Sequence, residues 1–416
     1  MSAPPPAFAF QRETTAFCRA RRRSIVASQP GLGKTRSAIE AADLPALVLA
    51  PASLLLNWRR EVDLWRPGAN PWFRVVSYAA RELDAIRAGD FETVIADEAH
   101  FLKNHEARRS LHACGLLRRA RRAIAISGTL VPNRPIELWT LLYALEATDL
   151  SYSEFALRYA NGHHDDYGRF NVSGASNLEE LRRLVEPLAI RFTKREVMPE
   201  LPEKTWRVLA LDLPVDRREK EFSARDLEYM DEAVAFEALS AVLAEHGRRK
   251  LPLAIEHVRN VLEGAEKVVV FGHHRETVLG MATALEDYGV ATLLGGQSPK
   301  RRQASVDAFQ KPGGPRVFSS QIVAGGVGLN LTAASHVVFA EASWVPSTLE
   351  QGADRCHRIG TRGNVTVDVL TVHRSIDEHM VRRALDKLRV VDRILPGSRF
   401  DLPQKKALQP FSRVLG

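Results

Sequence analysis

One stretch constrains this chain more than any other. Ser28-Gln29-Pro30-Gly31-Leu32-Gly33-Lys34-Thr35 follows an apolar, strand-like run and opens a helix-like one. Gly31 and Gly33 let backbone N–H groups come close to an anion, Lys34 adds a point charge able to reach β and γ phosphates, and the Thr35 hydroxyl suits Mg²⁺. Position 28 is Ser where the strict pattern has Gly. An ordinary Gly-rich turn is the competing reading of this stretch taken alone.

A second motif weighs against that competitor. The apolar run Thr93 to Ala96 passes directly into Asp97-Glu98-Ala99-His100. Carboxylates at the carboxyl end of a strand face the crevice where open α/β sheets bind ligands. Asp97 then suits Mg²⁺ through water, and Glu98 suits orienting and deprotonating an attacking water, the two tasks that triphosphate hydrolysis sets for side chains. Hydrolysis also needs a cation where charge develops on the γ phosphate. In QGADRCHRIG at 351–360, Gln351, Arg355 and Arg358 are spaced by four and three, so a helix through them presents all three on one face.

The 416 residues, 45% hydrophobic and 26% charged, predict two or three folded domains and argue against a disordered or fibrous chain. Strand-like runs alternate with amphipathic stretches, the pattern of an α/β chain with parallel sheets. Predicted strands are 24–28, 46–50, 73–78, 93–97 and 123–127, then 267–271, 291–294, 316–319, 336–340 and 365–372, with helices expected at 53–65, 107–120 and 375–395. The expected domains are an N-terminal lobe over 1–197 with a helical insertion near 140–190, a linker over 198–254, a C-terminal lobe over 255–400 and a tail over 401–416. Pro199 and Pro202 place the junction near 198–204.

The net charge of +8 makes a polyanionic partner plausible. Three dispersed cysteines indicate neither a structural zinc nor a disulfide framework. No apolar run reaches the length of a membrane-spanning helix, and the start MSAPPPAFAFQRE carries no secretory pattern, so the expected location is cytoplasmic, nucleoid-associated if the source is prokaryotic or viral. Basic clusters at 19–23, 118–122, 248–250 and 300–302 line a nucleic-acid track or are solvated faces.

The ordered set Phe10-Gln11, PGLGKT, LVLAPASLLLNW, VIADEAHFLKN, AISGTLVPN, KVVVFGHH, VAGGVGLNLTAASHVVFAEASW and QGADRCHRIG resembles the Swi/Snf-type helicase-like ATPases of helicase superfamily two. Within that family the stretches SGASNLEELRRLV, SPKRRQASVDAFQ and GLNLTAASHVVFAEASWVP look most similar to the annealing-helicase, fork-remodelling subgroup. The resemblance implies two RecA-like lobes that together enclose one ATP with Mg²⁺. Lys34, Asp97 and Glu98 would act from one side, with Arg355 and Arg358 as arginine fingers from the other.

It further implies that Gln11 reads adenine, that Gly31, Gly33, Lys34, Thr35 and Gln351 hold nucleotide, and that Thr35 and Asp97 hold the metal. His100, Ser127 and Thr129 would couple nucleotide state to nucleic acid. Ser53, Asn57, Gly325, Gly326, Gly328 and Asn330 would face the DNA backbone.

The implied activity is ATP-dependent translocation on double-stranded DNA, with fork or branched DNA as a candidate substrate and protein partners unknown. The alternatives are a remodeller of protein–nucleic acid or RNA complexes, and a nucleotide-gated DNA-binding scaffold. Three departures from the family pattern stand out. Ser28-Gln29-Pro30 replace an acidic pair and Met, Leu130 replaces Pro after SGT, and Thr361 replaces Gln after HRIG.

Overall fold

A computed structural model describes residues 5–131, 134–164, 168–214, 232–322, 329–341, 343, 346–358, 360–361, 363–382, 384, 394 and 408–410. The chain divides into two compact units, with the first break between Pro199 and Glu200. Among the described residues no helix is long and apolar enough to cross a membrane.

The first unit is built on a parallel sheet in the order β3-β2-β4-β5-β1-β8. Its strands are β1 (Arg23–Val26), β2 (Ala46–Ala50), β3 (Phe73–Ser77), β4 (Thr93–Asp97), β5 (Arg122–Ile126) and β8 (Ala189–Ile190). All five residues of β2, Ala-Leu-Val-Leu-Ala, are buried. A continuous apolar run of that kind suits a strand covered on both faces, which is why the parallel pattern is legible in the sequence. Helices α1 (Ala9–Arg19), α2 (Lys34–Ala41), α3 (Leu55–Trp65) and α4 (Arg108–Arg119) belong to this unit. The order β4-β5-β1 sets three carboxyl ends side by side, with Asp97 opposite Ile126 and Ile126 opposite Val26. Whatever follows those strands is brought together by register alone.

The stretch near 140–190, expected to be helix and loop, is more than that. Helices at Trp139–Ala144, Tyr152–Tyr159 and Leu178–Val185 are joined by a small antiparallel pair, β6 (His163–His164) with β7 (Phe170–Asn171), and the stretch ends in edge strand β8. These strands have two residues each, too short for alternation to mark them.

The second unit holds a parallel sheet in the order β11-β12-β10-β13-β14-β9-β15. The strands are β9 (Lys204–Leu211), β10 (Val268–Gly272), β11 (Val290–Leu293), β12 (Val317–Gln321), β13 (His336–Phe339), β14 (Val365–Val372) and β15 (Leu408–Pro410). Phe271, Phe309, Phe318 and Phe339 are fully buried among Val, Leu and Ile side chains. The expected linker over 198–254 needs correction here. It contributes β9, paired with β14 along all eight residues, and much of the 33-residue helix Glu232–Gly264. The sequence KTWRVLAL carries Trp, Arg and Lys among its apolar residues, which hides a strand whose partner lies far along the chain. Ile394, beyond the second unit's described strands in sequence up to β14, is buried in the core of the first unit.

Candidate nucleotide site

The turn from β1 into α2 places Gly31 at φ 88° and Gly33 at φ 72°, both left-handed, with Gly33 as the residue that caps α2. Only glycine takes that backbone without steric cost. A side chain at 33 would also strike the Gln11 amide nitrogen. That amide is 5% exposed; its Oε1 accepts the Phe8 N–H at 3.1 Å and its Nε2 donates to the Leu32 carbonyl at 3.3 Å. One N–H and one lone pair of the amide stay available for a base edge. The Lys34 ammonium donates to the Ser28 and Gln29 carbonyls at 2.8 and 3.0 Å, and half-buried Thr35 sits in the first turn of α2. The loop therefore presents an ammonium, left-handed glycines and a helix N-terminus at one place, which suits polyphosphate.

The carboxylates follow β4. Asp97 is 8% exposed; Oδ2 accepts the Trp58 indole N–H at 2.7 Å and Oδ1 accepts the Glu98 N–H at 2.9 Å. Its carbonyl accepts the buried Tyr78 hydroxyl at 2.8 Å. Burial first, and the neighbouring Glu98 second, push the Asp97 carboxyl up to about 7, against the pull of Trp58, the Glu98 N–H and Lys34. An acid lifted that far by burial and by a second acid gains from a nearby cation, so the pair fits Mg²⁺ on its own electrostatics.

Glu98 has φ 49°. A non-glycine residue held left-handed costs about 1–3 kcal/mol and is found where the surroundings over-determine it. That turn carries the Glu98 carboxylate toward His100, whose Nδ1 lies 3.3 Å from Glu98 Oε2 and 3.1 Å from Ser127 Oγ. Burial, then Lys103, hold the His100 imidazole down to about 4, so at neutral pH it is uncharged. The hydrogen bond is between Nδ1 and Ser127 Oγ, its direction set by the tautomer, and Glu98 Oε2 lies at contact distance from the same nitrogen. Ser127 Oγ in turn accepts the Thr129 N–H at 3.2 Å. Glu98, His100, Ser127 and Thr129 thus form one chain of contacts. Between the last two, Gly128 packs on the loop: a Cβ there would lie 3.0 Å from Pro30 and 3.4 Å from the Lys34 ammonium.

Two of the family departures have visible uses. Ser28 Oγ accepts the Phe192 N–H at 3.1 Å, and Gln29 Oε1 accepts the Lys194 N–H at 2.7 Å. These polar side chains fasten the segment after β8 to the phosphate loop. Thr361 Oγ accepts the Arg358 N–H at 2.9 Å and donates to the Cys356 carbonyl at 2.8 Å, closing the turn that carries Arg358.

In the second unit the expected single helical face is not formed. The helix runs Pro346–Ala353, and the chain then tightens through Arg355 N–H to Gly352 and Cys356 N–H to Ala353 bonds. Of the three, Gln351 alone is on the helix; Arg355 and Arg358 sit in the turn beyond it, Arg355 buried and Arg358 half-buried. Arg358 Nε donates to the Asp354 carbonyl at 3.0 Å, and His357 is a core contact on the Pro202 carbonyl at 2.6 Å. Ser53, Asn57 and Asn330 are exposed. Gly325, Gly326 and Gly328 lie outside the described residues.

Sequence reasoning passed over Trp58, Tyr78 and Gly128. Trp58 had a signal: a Trp directly after Asn57, the first buried residue of α3, with an indole N–H that needs an acceptor once buried.

The SNF2-related domain matches residues 73–235, and the helicase conserved C-terminal domain matches residues 253–360. A Mus musculus protein described as DNA annealing helicase and endonuclease ZRANB3 is 32% identical over 433 residues, 93% of this chain and 40% of the relative. A Xenopus laevis protein described as SWI/SNF-related matrix-associated actin-dependent regulator of chromatin subfamily A-like protein 1 is 31% identical over 92% of this chain and 43% of its own length. The chain thus spans less than half the length of these curated relatives. The Sulfolobus solfataricus SWI2/SNF2 ATPase core in complex with dsDNA aligns over 95% of this chain and 98% of its own, at 20% identity and a loose TM-score of 0.43. With an SNF2-related domain followed by a helicase C-terminal domain, the chain belongs to the Swi/Snf-type helicase-like ATPases.

Proposed function

We propose that this chain is a DNA-stimulated ATPase that translocates on double-stranded DNA, with fork or branched DNA as its substrate. The observation that carries the reading is the contact chain from Glu98 through His100 and Ser127 to Thr129, set beside the Lys34 loop. A scaffold that merely binds nucleotide has no use for a carboxylate wired to a second segment of its lobe. The DNA part draws on the relatives' names and on the exposure of Ser53, Asn57 and Asn330.

Bound MgATP supplies the phosphoanhydride and the cation that offsets its charge. Lys34, Gly31 and Gly33 hold the phosphates, Thr35 and Asp97 hold the cation, and Gln11 reads the base with its remaining amide N–H and lone pair. Glu98 orients and deprotonates the attacking water, and the state of its carboxylate passes through His100 to the SGT segment. Gln351, Arg355 and Arg358 are the second lobe's contribution, the two arginines answering the negative charge that develops on the γ phosphate. Contacts to phosphate rather than to base edges leave such a motor indifferent to sequence.

The test is phosphate release with linear duplex, single-stranded, forked DNA and RNA. Stimulation is expected with duplex and fork, and Glu98→Gln is expected to bind ATP while hydrolysing it about 10²–10⁴-fold more slowly. Release that no nucleic acid changes rules out the motor; preferential stimulation by RNA favours the remodeller of RNA complexes.

A further inference from the structure

The two arginine runs 19–23 and 118–122 are separate in sequence and joined in the fold. Helix α1 ends at Arg19 and β1 begins at Arg23; α4 ends at Arg119 and β5 begins at Arg122. Strands β1 and β5 are parallel neighbours with Arg23 opposite Ala123, so both runs gather at the amino ends of the strands. The phosphate loop, Asp97 and Ser127 all lie at carboxyl ends. The five residues of β5 therefore set the arginines about 17 Å from the nucleotide edge, at ~3.3 Å per residue.

Within the patch the arginines divide into two kinds. Arg23, 6% exposed, donates to the Ala120 and Arg118 carbonyls at 2.9 and 2.6 Å. Arg122 donates to the carbonyls of Cys18, Arg19 and Arg21 at 2.5, 2.8 and 2.8 Å and pairs with Asp43 at 3.0 Å. These two are fasteners that hold the runs against each other. Arg22, Arg119 and Arg121 are exposed instead. Arg22 reaches Glu146 only at 3.9 Å with its side chain 63% exposed, and Arg121 meets Glu92 at 2.9 Å with its side chain 77% exposed. Arg119 makes no hydrogen bond or ion pair among the described residues. Packing like charges together costs self-repulsion, which an anion lattice relieves. Guanidinium forks gathered at the amino ends of paired strands suit phosphate oxygens.

We infer that Arg22, Arg119 and Arg121 form a second nucleic-acid contact, on the edge of the first lobe opposite the nucleotide, that takes the backbone of another DNA arm. The inference deepens the proposed DNA function and rests on it for the identity of the polyanion. The residues do not belong to the nucleotide site, so the patch is separable from turnover.

The experiment compares the full chain with Arg22→Ala/Arg119→Ala/Arg121→Ala and with the corresponding triple Arg→Lys variant. Affinity for forked and for linear duplex DNA is titrated against salt, and ATP hydrolysis on linear duplex is followed in parallel. The alanine triple is expected to keep linear-duplex stimulation and to lose about 2–3 from the log–log salt slope on forked DNA, at ~0.9 per phosphate contact, while the lysine triple keeps that slope. An unchanged slope on forked DNA overturns the contact. So does equal loss of linear-duplex stimulation in both triples, which marks the patch as structural, and so does competition by polyglutamate as strong as that by DNA at equal charge. If linear duplex fails to stimulate the wild-type chain, the motor reading falls, and the forked-DNA slope still judges the patch.

Discussion

Two buried aspartates, one in each sheet, have been driven in opposite directions. Asp97 stands at the end of β4 beside another carboxylate, with an indole and a backbone N–H as donors, and its carboxyl is pushed up to about 7. Asp368, in the middle of β14, is equally dry. It receives Arg207 through Nε at 2.6 Å and Nη2 at 2.8 Å, His257 Nε2 at 2.8 Å and His336 Nε2 at 2.7 Å. Burial opposes its charge, but those three donors hold its carboxyl far below the ordinary carboxylate range. His257, His336 and Asp368 are the one group among the described residues close enough to share a metal ion, yet the Arg207 guanidinium already spans both carboxylate oxygens. The lesson is that burial does not mark a functional acid. An acid left short of positive charge beside a second acid is the stronger candidate, and an acid saturated with donors is a tie between elements, here β9, β13, β14 and the helix Glu232–Gly264.

The largest effect expected from breaking this contrast is on stability. Asp368→Asn leaves the Arg207 and imidazole donors facing a neutral amide, at a cost of about 3–5 kcal/mol. Thermal melting checks it, and a shift under a few degrees would mean that Asp368 is no tie. Asp97→Asn acts on chemistry instead: hydrolysis is expected to fall on the order of 10²–10³-fold with the fold retained. An equal loss of melting temperature in the two variants would erase the distinction.

The pH dependence sharpens the contrast because the signs differ. For Asp97 the folded value, about 7, lies above the ordinary 3.8, so folding favours the protonated form. Its contribution to stability is present below the ordinary value and is lost as pH rises to about 7. In metal-free protein the melting advantage of Asp97→Asn over wild type is therefore expected to grow from pH 4 to pH 8. Asp368 runs the other way: its carboxyl is depressed, so its stabilisation is full at neutral pH and falls away below about pH 5. The deficit of Asp368→Asn should then shrink as acid is added. Parallel curves for the two variants would refute both assignments. The smallest effect concerns the support of Asp97. Trp58→Phe removes one hydrogen bond to a buried carboxyl, about 1.5–3 kcal/mol, and is expected to slow hydrolysis by roughly tenfold without unfolding the lobe. Unaltered turnover would reduce Trp58 to packing.

Much of this was legible in advance wherever a local pattern carried it. The β strands of 46–50, 93–97 and 365–372 were predicted to the residue: the first two are near-continuous apolar runs, the mark of a strand covered on both faces, and the third, VTVDVLTV, is dense in β-branched Val and Thr. Strand β9 was not, because its partner β14 lies some 160 residues away and its own sequence mixes Lys, Trp and Arg with apolar residues. The nucleotide-site motifs were readable because each states its chemistry in a few adjacent residues. What the sequence withheld were relations across space: Trp58 on Asp97, Gly128 on the Lys34 loop, and the interlocking of Arg23 and Arg122. The tie at Asp368 belongs to the same class, since its members come from four elements and no spacing announces them.

The Gln11 amide rests on the Leu32 carbonyl and fills the space that Gly33 leaves without a side chain. On the proposed reading, the recogniser of the purine and the cradle for its phosphates are therefore a single stiff piece. A nucleoside triphosphate bearing the wrong base would shift the cradle itself, so discrimination against GTP should surface in turnover rather than in affinity alone.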